Sequence, residues 1–198
     1  MSFIWGAVCR AKQGQTVSGD IYTIRAYAED KLLVAVIEGL GGGEEAARAA
    51  RGAEAIINEH PDWALQDLVA HCHTALHSTR GAVIGLLRLD LNGYKVNYVG
   101  VGNIGVHVYS RQSIKPISKN GILGFRLPTL LEMRYVYEPG DVFVLYSDGV
   151  SARFAQEPNV DLHGTPQQVS ESILAQYGKM IDDATVVTIK TLPAALLP

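Results

Sequence analysis

Carboxylates recur in this sequence in one kind of setting. Asp20 follows Ser18-Gly19, Glu38 precedes Gly39, Asp148 lies within Ser147-Asp148-Gly149, and Asp182-Asp183 precede Ala184. Each stands beside a small residue, at the beginning or end of a stretch patterned as a strand. A carboxylate just past a buried strand is held on stiff backbone, yet projects from the end of the sheet. Several converging there make an oxygen-rich site suited to hard divalent cations, Mg²⁺ or Mn²⁺. The adjacent glycine lets backbone come close and offer a carbonyl as a further ligand. A lone Asp-Gly is ordinarily a turn, so the weight lies in the shared setting.

The elements that must hold these acids follow from periodicity. Residues 21–28 and 31–37 read as a hairpin turned at Glu29-Asp30. A glycine cluster, 39–43, leads into an alanine-rich helix over 44–60, with Glu44-Glu45 suited to its start. His60-Pro61 stops it. Asp62 is the expected N-cap of a second helix reaching about Ser78. Residues 82–89 and 94–101 form strands around Leu91-Asn92-Gly93, and 104–109 continues the β pattern. Residues 134–138 and 142–146 read as two more strands, turned by Pro139-Gly140-Asp141. Thr165-Pro166 opens a last helix, and residues 185–191 close the chain as a strand. Residues 120–129 and 152–164 are expected loops. Adjacent strands on short turns imply antiparallel sheets; helices segregated from them imply an α+β fold with helices on the sheet faces.

Composition narrows the class. The 198 residues are 47% apolar and 19% charged with a net charge of −3, values of a globular domain. No Lys/Arg-rich block points to nucleic acid. The longest wholly apolar run, 32–37, is far short of the ~20 residues of a membrane helix. Cys9 and Cys72 form no spacing motif and read as free thiols. No leader is visible over residues 1–8. The expectation is a cytoplasmic protein, without membrane or nucleic-acid partners, built as one domain over 1–198.

Three other patterns carry chemistry less well. Residues 100–105 satisfy G-x-G-x-x-G but run into a strand pattern, so no helix start would face a pyrophosphate. Residues 41–46 fit G-x-G-x-x-A between strand and helix, but Glu44 and Glu45 would repel a pyrophosphate and a second helix follows. His71, His73 and His77 fall on one expected helix, and His73 and His77 stand four apart, a zinc-compatible spacing that lacks an intervening glutamate and a clear third ligand.

The ordered segments Ser18-Gly19-Asp20, Glu38-Gly39-Leu40-Gly41, Ser147-Asp148-Gly149-Val150 and Asp182-Asp183-Ala184-Thr185 resemble the PPM family, the metal-dependent (type 2C) protein phosphatases. The likeness is to the compact bacterial branch related to SpoIIE, and Val99-Gly100-Val101-Gly102-Asn103 resembles that branch too. It covers nearly the whole chain. The resemblance implies a four-layer αββα sandwich, with two antiparallel central sheets flanked by helices. It implies a phosphoserine/phosphothreonine protein phosphatase in which a hydroxide bridging two Mn²⁺ or Mg²⁺ ions attacks phosphorus without a phosphoenzyme. Glu38 would bridge the ions and Gly39 give its carbonyl to one. Asp148 and Asp182 would hold the second, Asp20 would ligate or orient waters, and Asp183 would stand behind them. The short length resembles stressosome-resetting members, which implies phosphorylated STAS-domain stressosome proteins as partners.

The family usually has aspartate where Glu38 stands, and many members carry a histidine where Gly42-Gly43 falls. Glutamate pushes the carboxylate outward by about one carbon–carbon bond, and a misplacement near 1 Å can cost ~100-fold in rate. Two alternatives therefore stay open: a degenerate phosphatase acting mainly as a binding module, and a dinucleotide-binding protein on the glycine loop. Arg10 and Lys12 are the positional candidates for gripping phosphate.

Overall fold

The structure is a computed structural model that describes residues 3–157 and 160–192. Its strands are β1 (Phe3–Arg10), β2 (Asp20–Tyr27), β3 (Lys31–Gly39), β4 (Ala82–Asp90), β5 (Lys95–Val101), β6 (Gly105–Tyr109), β7 (Met133–Val136), β8 (Val142–Tyr146) and β9 (Ala184–Thr191). Helices α1 (Gly43–Glu59) and α2 (Leu65–Ala75) lie between β3 and β4, and α3 (Pro166–Tyr177) precedes β9. One sheet has the order β1-β9-β8-β6 and the other β2-β3-β4-β5-β7, with every pair antiparallel.

Both faces of the central strands are covered, which explains the unbroken apolar run in β3. Val34 and Val36 face the other sheet, packing with Phe143, Leu145, Val187 and Ile189. Leu33, Ala35 and Ile37 face outward, against Ala49, Ala53 and Ile57 of α1 and Leu68 and Cys72 of α2. On the far side, Val169 and Ile173 of α3 pack on Val144 and Val186. The result is the expected αββα layering. No helix among the described residues is long and apolar enough to cross a membrane.

One strand has no counterpart in the sequence reading, and two local readings are corrected. Residues 3–10 form β1, an edge strand whose whole length pairs with β9 at the other end of the chain. The second helix begins at Leu65 and ends at Ala75, with Ala64 at the cap and no side-chain cap bond, so Asp62 is not its N-cap. Tertiary contacts hold that entry: His60 stacks on Trp63 with ring centroids 3.8 Å apart, and Arg88 donates to the carbonyls of Pro61 and Trp63. The expected loop after residue 151 contains a short 3₁₀ turn, Ala152–Gln156, which buries Phe154. The last helix starts as read, with a capping box between Thr165 and Gln168.

Candidate metal centre

Four chain segments meet at one end of the two sheets. Asp20 opens β2 and stands in register with Glu38, near the end of β3. Gly39 N–H donates to Gly19 O at 2.9 Å, tying the two segments together. A Cβ on Gly39 would lie 2.0 Å from Ala46 O, so α1 seats directly on the end of β3. On the other sheet, Ser147 joins the end of β8 to β9: its N–H donates to Thr185 O, and its Oγ accepts from Thr185 N–H. Asp148 follows. A Cβ on Gly149 would lie 1.9 Å from Asp183 O, so this turn packs without a gap on the approach to β9. Only glycine fits either place.

The carboxylates repel and desolvate one another. Asp20 is buried, and that burial lifts its pKa to about 6; the charges of Asp183 and Asp148 add to the rise, against the nearby hydroxyls of Ser147 and Thr185. Glu38 rises further, to about 8, through burial and then the charges of Asp148, Asp20 and Asp182, with the Asp148 backbone N–H opposing. Asp148 is raised by burial and by Asp182, against Lys179 and Asn103. The structure therefore places Asp20, Glu38, Asp148 and Asp182 within electrostatic reach of one another.

Four oxygens of this group are buried without a hydrogen-bond partner: both of Asp20, Oε2 of Glu38 and Oδ1 of Asp148. Ser147 and Thr185 lie near Asp20, yet neither makes a hydrogen bond to its oxygens. Buried acceptors left unpaired cost about 1–3 kcal/mol each. Clustered unpaired carboxylate oxygens are a donor set for hard divalent cations. Among the described residues, no three His, Cys, Asp or Glu side chains already converge at ligand spacing. The acids are neighbours on a fixed frame rather than a closed cage.

The Asp-Asp pair divides into two roles. Asp183 is buried, and its oxygens accept from Lys12 N–H at 2.8 Å and Gly19 N–H at 2.9 Å. With each oxygen engaged by a backbone N–H, it holds the loop leading to Asp20. Asp182 is half-buried and accepts only from the following backbone N–H.

Two supporting residues escaped the sequence reading of roles. Asn103 Nδ2 donates to Asp148 Oδ2 at 2.7 Å, which leaves Oδ1 as the free oxygen. Asn103 lies in the small-residue segment already singled out, but nothing in its spacing names its partner. Lys179 Nζ donates to Asp148 O, and its backbone N–H to Gly149 O. No sequence signal marks Lys179. The two phosphate-grip candidates also separate. Arg10 Nη2 donates to Lys179 O at 2.7 Å, while its Nε is buried without a partner. Lys12 reaches only Gly41 O, at 3.4 Å, beside the glycine turn.

The competing patterns fail on geometry. Residues 100–105 lead into β6, a strand. Glu44 and Glu45 occupy the first turn of α1, paired with Arg51 and Arg48, and α2 follows instead of a strand. His73 Nδ1 accepts from Gly124 N–H at 3.0 Å, which puts the proton of neutral His73 on Nε2. That proton points at His77 Nε2, 3.2 Å away, so the pair is a hydrogen bond rather than a free metal chelate.

Residues 29–192 match the family model described as stage II sporulation protein E (SpoIIE). Phosphoserine phosphatase RsbX of Bacillus subtilis (strain 168) is 24% identical over 183 residues, spanning 89% of this chain and 88% of that protein. A chain solved in work on the bacterial stressosome, described as a modular system adapted to control secondary messenger signaling, is 32% identical. It superimposes with a TM-score of 0.87, over 96% of this chain and 100% of that one. RsbX in complex with magnesium superimposes with a TM-score of 0.83 at 22% identity, over 96% and 95% of the two chains, a likeness of fold.

Proposed function

This chain belongs to the SpoIIE family, and from that premise we propose that it is a metal-dependent phosphoserine/phosphothreonine protein phosphatase. The observation that carries the reading is the set of four buried carboxylate oxygens without partners on Asp20, Glu38 and Asp148. In this reading Glu38 and the Gly39 carbonyl would help hold the ions, Mn²⁺ or Mg²⁺. Asp148 and Asp182 would complete the donor set, and Asp20 would ligate an ion or orient its water. Such ions supply charge neutralisation at the phosphoryl group and an acidified water as nucleophile.

The chain's own residues do the positioning. Asn103 turns Asp148 so that Oδ1 faces inward, and Lys179 clamps the Asp148 and Gly149 carbonyls. Asp183 fixes the loop that presents Asp20. No side-chain nucleophile is required, because the attacking oxygen comes from water.

The test is hydrolysis of p-nitrophenyl phosphate and a phosphothreonine peptide, with Mn²⁺ or Mg²⁺ and with chelator. Turnover should require the metal, and Asp148→Asn or Asp182→Asn should remove it while the melting temperature holds. Unchanged turnover in these variants overturns the site assignment. The likeness to RsbX and to the stressosome-derived chain supports phosphorylated STAS-domain stressosome proteins as substrates. A pull-down with phosphorylated and unphosphorylated STAS domains should favour the phosphorylated form; equal capture counts against that partner.

A further inference from the structure

Two side chains at the acid end of the molecule stand far out into solvent. Ile181 and Phe125 are each 84% exposed, more than any other large hydrophobic among the described residues. Neither sits on loose backbone. Ile181 rides a strap tied at successive steps: Lys179 N–H donates to Gly149 O, Gln13 N–H to Met180 O, and Arg10 to Lys179 O. Phe125 sits on a turn bonded to Ile122 O, beside Leu123, which is buried and pairs with Ala82.

Both positions lie at the end of the sheets where the carboxylates meet. Ile181 immediately precedes Asp182. Ala82 is the register partner of Gly39, so the turn carrying Phe125 begins one strand away from Glu38. Cations share this rim. The Lys12 ammonium bonds to Gly41 O, and the Arg80 guanidinium lies over Gly41; neither side chain makes an ion pair among the described residues. Elsewhere, Arg48 and Arg51 on α1 are paired with glutamates.

Phosphoserine and phosphothreonine have short side chains. A phosphate delivered to Asp20 and Glu38 therefore brings its own main chain, and the residues beside it, onto these loops. We propose that Ile181 and Phe125 form the docking contacts for the phosphorylated segment of another protein that carries apolar side chains next to the phosphoresidue. Lys12 and Arg80 complement the negative charge that such a segment brings. This specificity rests on the phosphatase reading above. It predicts discrimination by neighbouring residues, beyond recognition of the phosphate alone.

The test uses the full chain with Mn²⁺ and three substrates: p-nitrophenyl phosphate, a peptide with leucines flanking phosphothreonine, and the same peptide with serines there. The unaltered protein should prefer the leucine peptide in kcat/KM by about tenfold, the scale of burying one such side chain. Ile181→Ser and Phe125→Ser should each erode that preference, mainly through KM, and leave p-nitrophenyl phosphate turnover unchanged. Turnover without a peptide preference, or a preference that survives both substitutions, overturns this inference alone. If the substitutions change only self-association in sedimentation, a second copy covers the patch and the inference falls. If the unaltered protein turns over no phosphoester, the phosphatase reading falls and takes this inference with it.

Discussion

Asp20 and Glu38 face each other in register across β2 and β3, and three of their four carboxylate oxygens are buried without a hydrogen-bond partner. Neighbouring acids on adjacent strands disfavour one another unless a proton or a cation comes between them. The frame tolerates this because it is tied elsewhere: Gly39 to Gly19, Asp183 to Gly19 and Lys12, and Ser147 to Thr185.

The first prediction concerns pH. Asp20 and Glu38 have folded pKa values of about 6 and about 8, above their ordinary 3.8 and 4.5. Raised acids hold protons more tightly when folded than when unfolded. Their contribution to stability is therefore present below about pH 4 and is lost as pH rises through about 6 and then about 8. In chelator, the melting temperature should fall between pH 5.5 and 8.5. Saturating Mn²⁺ should oppose that fall, because ions favour the ionised carboxylates. Calorimetry across this range in both conditions checks it; a flat or rising profile in chelator contradicts it.

The second prediction separates the two adjacent aspartates. Asp183→Ala strips the acceptor from two backbone N–H groups and should cost about 2–4 kcal/mol. For a chain of this size that lowers the melting temperature by roughly 5–15 °C. Asp182→Asn should leave the melting temperature within about 2 °C and remove metal-dependent turnover. Equal destabilisation by both substitutions would show that the division of roles is wrong.

Much of this arrangement was legible before any coordinates. The β2–β3 and β4–β5 hairpins, the alanine-rich helix and the Thr165-Pro166 start are local signals, and the structure keeps them; the turn at residues 139–141 instead carries the chain from β7 in one sheet to β8 in the other. The ordered acids beside glycines pointed to one end of the sheets. Contacts between distant segments were not legible. β1 is a strand because β9, more than 170 residues on, pairs with it throughout. α2 starts late because His60, Trp63 and Arg88 fix the connection ahead of it. Asn103 and Lys179 gain their roles only when Asp148 is brought to them.

The third prediction addresses Glu38. Glutamate carries its carboxylate one methylene further from β3 than aspartate would, into the field of Asp148 and Asp182. Aspartate would withdraw the carboxylate by about one carbon–carbon bond, and geometric losses of ~1 Å can cost up to ~100-fold in rate. Glu38→Asp should therefore lower metal-dependent kcat at least tenfold with little change in melting temperature. A gain in activity would show instead that glutamate is the degenerate element of this site.

The last prediction asks whether the frame, rather than the acids alone, makes the site. Gly149→Ala would drive a methyl to 1.9 Å from Asp183 O, a backbone atom that cannot step aside as a flexible side chain would. Either the turn carrying Asp148 or the segment carrying Asp182 and Asp183 must move. Overpacking of this kind costs about 1–3 kcal/mol, and the displacement falls on residues proposed to share a metal ion. The expected outcome is a loss of Mn²⁺ affinity larger than the loss of stability, read by metal titration beside thermal melting. Gly14→Ala is the control, because a Cβ at Gly14 meets nothing within 4 Å, although its φ of +84° brings a backbone penalty of its own. It should lower the melting temperature modestly and leave Mn²⁺ affinity unchanged. If Gly149→Ala also leaves Mn²⁺ affinity unchanged, the close packing of Gly149 on Asp183 is dispensable to the site.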